Sequence, residues 1–150
     1  MANLGRDWWP AEAKRPVLRL AAGLAIAPLL IGAITAPLAW VVAGMTLPDA
    51  ATVNQAAANV ALTALSAFVV FSLTFGLLAV LGLWLARRRT AIAFALAGIV
   101  GGMLFAGVTS LVFGVPLTLA QPLILGGMGA ASLLIVRWIA GVRELPAPPA

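Results

Sequence analysis

Apolar residues fill four long stretches of the chain, and polar residues are confined mainly to the segments between them. The stretches cover residues 20–43, 60–86, 91–113 and 117–140. Each is long enough to cross a hydrocarbon core of about 30 Å, which takes about 20 helical residues. A segment in lipid must satisfy its own backbone hydrogen bonds, and the alternating segments typical of a barrel are not visible. The pattern therefore predicts an all-α membrane protein, a bundle of four transmembrane helices.

The segments outside these stretches are short. We expect residues 1–16 to form an amphipathic cytoplasmic arm and residues 144–150, which contain three prolines, to form a disordered tail. The four-helix transmembrane domain then covers residues 17–143. The link after the first stretch has the pattern of a helix start, with Thr46 as its candidate N-cap. Residues 50–58 form either a short surface helix or an extension of the second helix.

Local features refine the expected helices. Thr90 is a candidate N-cap for the third helix. The link 87–90 permits only a tight hairpin, so the second and third helices should be antiparallel neighbours. Prolines inside the first and fourth stretches predict local kinks. These are Pro28, Pro37 and Pro122. Phe68, Phe71 and Phe75 recur at helical spacing, which packing against lipid would explain.

All nine basic residues lie on one side of this arrangement. They are Arg6, Lys14, Arg15, Arg19, Arg87, Arg88, Arg89, Arg137 and Arg143. The links after the first and third stretches, residues 44–59 and 114–116, contain neither Lys nor Arg. Cytoplasmic segments of membrane proteins are enriched in these two residues. We therefore expect both termini to be cytoplasmic.

Composition supports a membrane location. Of the 150 residues, 63% are hydrophobic and 9% are charged, whereas a soluble domain is about 45–50% apolar and about 25% charged. A soluble protein and a disordered one are therefore both excluded. The bias of eight Arg to one Lys, with abundant Ala, is typical of a GC-rich bacterial genome. We accordingly expect a bacterial cytoplasmic (inner) membrane protein.

The residue types that are missing exclude most catalytic chemistry. The chain contains no Cys, no His and no Tyr, and no acidic residue lies in any of the four stretches. A thiol nucleophile, a histidine base and a membrane carboxylate for proton coupling are therefore not available. We expect no enzyme activity, no metal site, no cofactor and no nucleic-acid partner.

Three sets of residues are candidates for contacts. A small-residue face on the third and fourth helices would let backbones approach closely: Ala95, Gly98, Gly102, Ala106, Gly126 and Ala130. Lipid headgroups or a partner would meet a second set near the cytoplasmic surface: Arg87, Arg88, Arg89, Arg137, Trp8 and Trp9. An outer polar vestibule would be lined by Thr63, Ser66 and Gln121.

Each set also has a purely structural explanation. Packing within one chain accounts for the small residues, and the arginines suffice as topology determinants and interfacial anchors. Hydroxyls in a helix commonly bond to a carbonyl one turn back.

These features favour a non-catalytic accessory, assembly or structural subunit of a larger membrane complex. The expected partners are the lipid bilayer and other membrane-protein subunits, or further copies of the chain. The alternative is a small homo-oligomeric channel or carrier for an uncharged or lipidic solute.

Overall fold

A computed structural model of the chain describes residues 15–47, 49–86, 88–114 and 116–142. Most of the predicted arm, the predicted tail and Arg87 lie outside these residues. The described part is helical apart from short links and has no strand. Its four helices are α1 (Pro16–Thr46), α2 (Ala50–Leu85), α3 (Ala91–Phe113) and α4 (Ala120–Ala140). All four are long and apolar enough to cross a membrane. The predicted fold class, a four-helix transmembrane bundle, is confirmed.

The second helix is longer than its apolar stretch. It begins at Ala50, so the residues that follow the first link extend α2 rather than form a separate surface helix. Asp49 is its N-cap, because its carboxylate accepts a hydrogen bond from the backbone N–H of Thr52. Thr46, the predicted cap, instead ends α1. Asp49, rather than Thr46, caps α2 because it directly precedes the first helical residue, Ala50.

The three prolines fall in different settings. Pro28 and Pro37 lie inside α1, which is helical from end to end. Helix α4 begins at Ala120, three residues later than expected, and this places Pro122 in its first turn. A first-turn proline lacks only an N–H that has no partner in the helix anyway. The kink predicted at Pro122 therefore has no cause.

The ends of α3 follow simple rules. Thr90 is its N-cap, as predicted, and its hydroxyl accepts a hydrogen bond from the N–H of Ala93 at 3.2 Å. The helix ends at Phe113, and Gly114, which follows it, has a φ of 64° in the left-handed region that glycine adopts without strain.

The bundle consists of two hairpins that pack side by side. Helix α3 packs along α4, α2 packs along α1, and contacts between α1 and α4 join the two hairpins. Helices α2 and α3 touch mainly through the second half of α2, from the π-helical turn Ser72–Gly76 onward. They are neighbours, as the short link between them predicts, but only over that half.

Two apolar clusters form the core. One surrounds Leu133 and Phe94, and the other contains Ile31, Phe68, Phe71 and Phe105. The rings of Phe71 and Phe105 meet edge to face, with their centroids 5.9 Å apart. Phe68 and Phe71 are thus buried between helices, and the expectation that they face lipid is wrong. Their helical spacing reveals a shared face but not what covers it.

The two ends of the bundle differ in charge, and at one of them the helices extend to different heights. We call the end that carries Arg15, Arg19, Arg88, Arg89 and Arg137 the basic end, and the opposite end, with the 47–49 and 114–119 links, the distal end. A Cβ atom on Gly23 would lie 3.1 Å from Cα of Val136, so α1 and α4 are level there. From this level α1 continues to Thr46 and α4 only to Ala120. The seven-residue difference carries the end of α1 about 10 Å beyond the start of α4. Helix α3, whose Gly102 packs at the level of Leu125 and Gly126, continues to Phe113 and so reaches nearly as far as α1.

Candidate functional site

A pocket opens between the distal ends of α3 and α4. Its volume is about 250 Å³. Four lining residues come from α3 and two from α4: Ala106, Thr109, Ser110, Phe113, Gln121 and Leu125. None of these six carries a charge. Gln121, singled out from the sequence, is thus part of a real concave site.

Some of the polar groups that line the pocket already form hydrogen bonds within the chain. The Thr109 hydroxyl donates to the backbone oxygens of Phe105 and Ala106, at 2.9 and 3.0 Å. The Gln121 side-chain oxygen accepts from the backbone N–H of Thr118 at 3.2 Å. What remains available is the amino group of Gln121, a donor, and the lone pairs of the Thr109 oxygen, which are acceptors.

The other two members of the predicted vestibule lie elsewhere. Thr63 and Ser66 are exposed on α2 and do not line the pocket that contains Gln121. Neither falls on the face of α2 that carries the buried Val53 and Ala57. The structure therefore brings Gln121 together with Thr109, and places Thr63 and Ser66 on a separate surface.

The small-residue face of α3 is occupied by α4 within the same chain. A Cβ atom on Gly98 would lie 2.6 Å from Cα of Ala130, and one on Gly102 would lie 2.9 Å from Cα of Gly126. Such distances are too short for any side chain, so the two backbones are in direct contact. Ala95 is half-buried on the same helix, and Ala106 is buried next to this contact.

This contact also explains why the pocket exists. Antiparallel helices that touch backbone to backbone at one level diverge away from it. Beyond Gly102 the facing side chains of α3 include the larger Thr109 and Phe113. Between these residues and the α4 residues Gln121 and Leu125 a gap remains.

Two arginines at the basic end, Arg137 and Arg19, make contacts that stabilise the fold. The side chain of Arg137 donates through Nε to the backbone oxygen of Arg89 at 3.0 Å, which ties α4 to the α2–α3 link. A Cβ atom on Gly141 would lie 3.6 Å from the guanidinium of Arg19, so that cation sits near the C-terminal end of α4. Positive charge is favourable at this end of a helix dipole. Arg88 is exposed. The remaining candidates of this set, Arg87, Trp8 and Trp9, lie outside the described residues.

Two buried serines were not anticipated from the sequence. Ser72 and Ser132 are each 1% exposed, and their hydroxyls have no hydrogen-bond partner in the described structure. Ser72 begins the π-helical turn of α2, a feature that often marks functional sites. A single Ser in an apolar helix gives no sign of burial, so neither could be identified before the fold was known.

A metal site is not formed by the described residues. They contain no group of three or more His, Cys, Asp or Glu side chains close enough to share an ion.

Comparisons of the chain with protein-family models, with curated proteins and with solved structures gave no match.

Proposed function

We propose that this small integral membrane protein is a non-catalytic accessory, assembly or structural subunit of a larger complex in a bacterial cytoplasmic membrane. The proposal rests chiefly on a polar face of α2 that the fold leaves uncovered.

The uncovered face lies on the distal half of α2. There, α2 packs against α1 but makes almost no contact with α3. Thr63 and Ser66 project from the exposed side. In hydrocarbon a hydroxyl gains from a hydrogen bond to another helix, by about 0.6 to 2 kcal/mol. A helix of a partner protein can supply such an interhelical bond, whereas lipid tails cannot.

The tip of the α1–α2 hairpin is a second surface that suits a partner. The end of α1 lies about 10 Å beyond the start of α4 and nearly level with the distal end of α3. Val42 and Met45 near the end of α1 are 60% and 80% exposed. Trp40 fixes the hairpin below them by donating from its indole N–H to the Asn54 side-chain oxygen at 2.9 Å. Exposed apolar side chains on a hairpin that is held together in this way favour contact with another protein.

The extent of exposed apolar surface is consistent with this role. Only 28 to 33% of the residues in the most apolar window of each helix are buried within the chain. The rest must meet lipid or other subunits. Placing the basic end in the cytoplasm follows from the excess of arginine there.

The alternative function, a channel or carrier, receives support only from the pocket. The pocket ends at Ala106 and Leu125, directly next to the backbone contact between Gly102 and Gly126. A blind pocket favours binding over passage, so we place the subunit role first.

The proposal is tested by extracting the chain, tagged at its own chromosomal locus, with a mild detergent and measuring the native mass of the particle. We expect the chain together with at least one other membrane protein in a fixed ratio. A particle with one copy and no other protein would overturn the proposal. A particle built only from copies of this chain would favour the channel or carrier.

The polar face is tested in the same experiment by removing its hydroxyls. The double variant Thr63→Val, Ser66→Ala should lower the co-purified partner roughly tenfold, because two interhelical hydrogen bonds are lost. The matched control is Thr74→Val, whose hydroxyl is already satisfied by the Val70 carbonyl at 2.7 Å. It should leave the yield of partner unchanged.

A further inference from the structure

We propose that the pocket between the distal ends of α3 and α4 binds an uncharged lipid with a hydroxyl headgroup, such as a diacylglycerol, taken from the leaflet at that end. This site goes beyond the subunit role and does not depend on it. It follows from the size, polarity, hydrogen-bonding groups and charge of the pocket.

The dimensions suit part of a lipid. The lining on α3 extends from Phe113 down to Ala106, a helical rise of about 10 Å. The volume of about 250 Å³ is slightly below the range of roughly 300 to 1,000 Å³ that encloses a whole drug-sized ligand. The pocket can therefore take a headgroup and the beginning of one chain, while the rest of the molecule stays in the bilayer.

The polarity of the pocket changes with depth. On α3, Thr109 and Ser110 lie on the distal side of Ala106, and on α4, Gln121 lies one turn distal to Leu125. The apolar Phe113 is the most distal lining residue. A lipid in the adjacent leaflet has the same order, with its polar group towards the surface and its chains towards the midplane. It can enter the pocket sideways without turning over.

The hydrogen-bonding groups match a hydroxyl. The oxygen of Gln121 is occupied by Thr118, which leaves its amino group to donate, and the Thr109 hydroxyl already donates to Phe105 and Ala106, which leaves its oxygen to accept. A ligand hydroxyl both accepts and donates, so one such group can satisfy both side chains. An ether or an ester carbonyl would satisfy only Gln121.

Charge excludes the common anionic lipids. None of the six lining residues is charged, and the described arginines lie at the basic end. A phosphate or carboxylate in this pocket would lose water without gaining a counter-charge, which is costly. The site therefore discriminates against phosphatidic acid and fatty acids whose chains are as long as those of the diacylglycerol.

The test uses the purified full chain in lipid nanodiscs that contain a trace of diacylglycerol with a photoreactive diazirine in one chain. After illumination, mass spectrometry locates the label. We expect saturable labelling within residues 106–125, reduced at least fivefold by excess unlabelled diacylglycerol and not by phosphatidic acid. The variants Gln121→Leu and Thr109→Val should each lower the labelling at least threefold.

The controls separate binding from folding. Thr63→Val removes a hydroxyl outside the pocket and should label like the native chain. Thr109→Val keeps the shape of the side chain, and thermal unfolding of each variant in detergent confirms that it is folded. Labelling that does not saturate, that phosphatidic acid suppresses equally, or that both folded pocket variants retain would overturn the proposal. None of these outcomes bears on the native mass of the complex, so this site and the subunit role fail independently.

Discussion

Asp49 shows how one side chain sets the start of a helix. Its two carboxylate oxygens accept from the Thr52 backbone N–H at 2.8 Å and from the Thr52 hydroxyl at 2.6 Å. The hydroxyl hydrogen bond, followed by the backbone one, holds the pKa of Asp49 below its ordinary value. Both bonds are stronger when the carboxylate that accepts them is ionised.

The pKa of Asp49 predicts a pH dependence for the start of α2. A lowered pKa in the folded state means that the cap stabilises fully above the ordinary pKa and is lost as the pH falls through the lowered one. The amide proton of Thr52, followed by NMR, should therefore titrate with a midpoint below the ordinary pKa of an aspartate. The Asp49→Asn variant should show no titration. A midpoint at or above the ordinary value would contradict the capping geometry.

Replacing either buried serine at mid-bundle, Ser72 or Ser132, should stabilise the protein, whereas most substitutions of buried residues destabilise it. Because their hydroxyls lack a protein partner, replacing either with alanine removes an unsatisfied polar group. We expect Ser72→Ala and Ser132→Ala each to stabilise the bundle, by about 1 kcal/mol, in unfolding measurements in bicelles. Thr74→Val, with its hydroxyl bonded in the helix, should give no gain. If both serine variants instead destabilise, the hydroxyls have a partner.

At the scale of helices, the contact between α3 and α4 depends on glycine at defined positions. A Cβ atom on Gly102 would collide with the backbone of Leu125, whereas one on Gly107 would meet nothing within 4 Å. Gly102→Ala should destabilise the bundle by about 1 to 3 kcal/mol through overpacking. Gly107→Ala should be neutral or slightly stabilising, because alanine favours a helix. Equal effects of the two changes in the same unfolding assay would contradict the packing described here.

The four helices could be predicted from the sequence, but which helices pack against each other could not. Apolar length identified all four, and Thr90 marked the start of α3 because capping is local chemistry. The burial of Phe71 could not be foreseen, since spacing reveals a face but not its neighbour. The same limit applies to Gln121 and Thr63. Both were placed in one vestibule by their depth, yet the rotation of α2 turns Thr63 away.

For the whole molecule, the absence of cysteine gives a simple test of orientation. The native chain has none, so a single introduced cysteine reports one position. Ala51 lies at the distal end and Arg88 at the basic end, and both are exposed. A membrane-impermeant maleimide should label Ala51→Cys in intact spheroplasts and Arg88→Cys only after permeabilisation, because basic segments stay in the cytoplasm. The reverse pattern would refute the proposed topology.

The subunit role is tested most directly in the native membrane, without extraction. A photoreactive amino acid in place of Ser66 reports what covers the polar face of α2, and one in place of Leu111, which is 86% exposed on α3, is the control. We predict a discrete adduct from position 66 whose mass is that of this chain plus one different membrane protein, with only lipid adducts from position 111. Lipid adducts alone from position 66, or an adduct of two copies of this chain, would contradict the account.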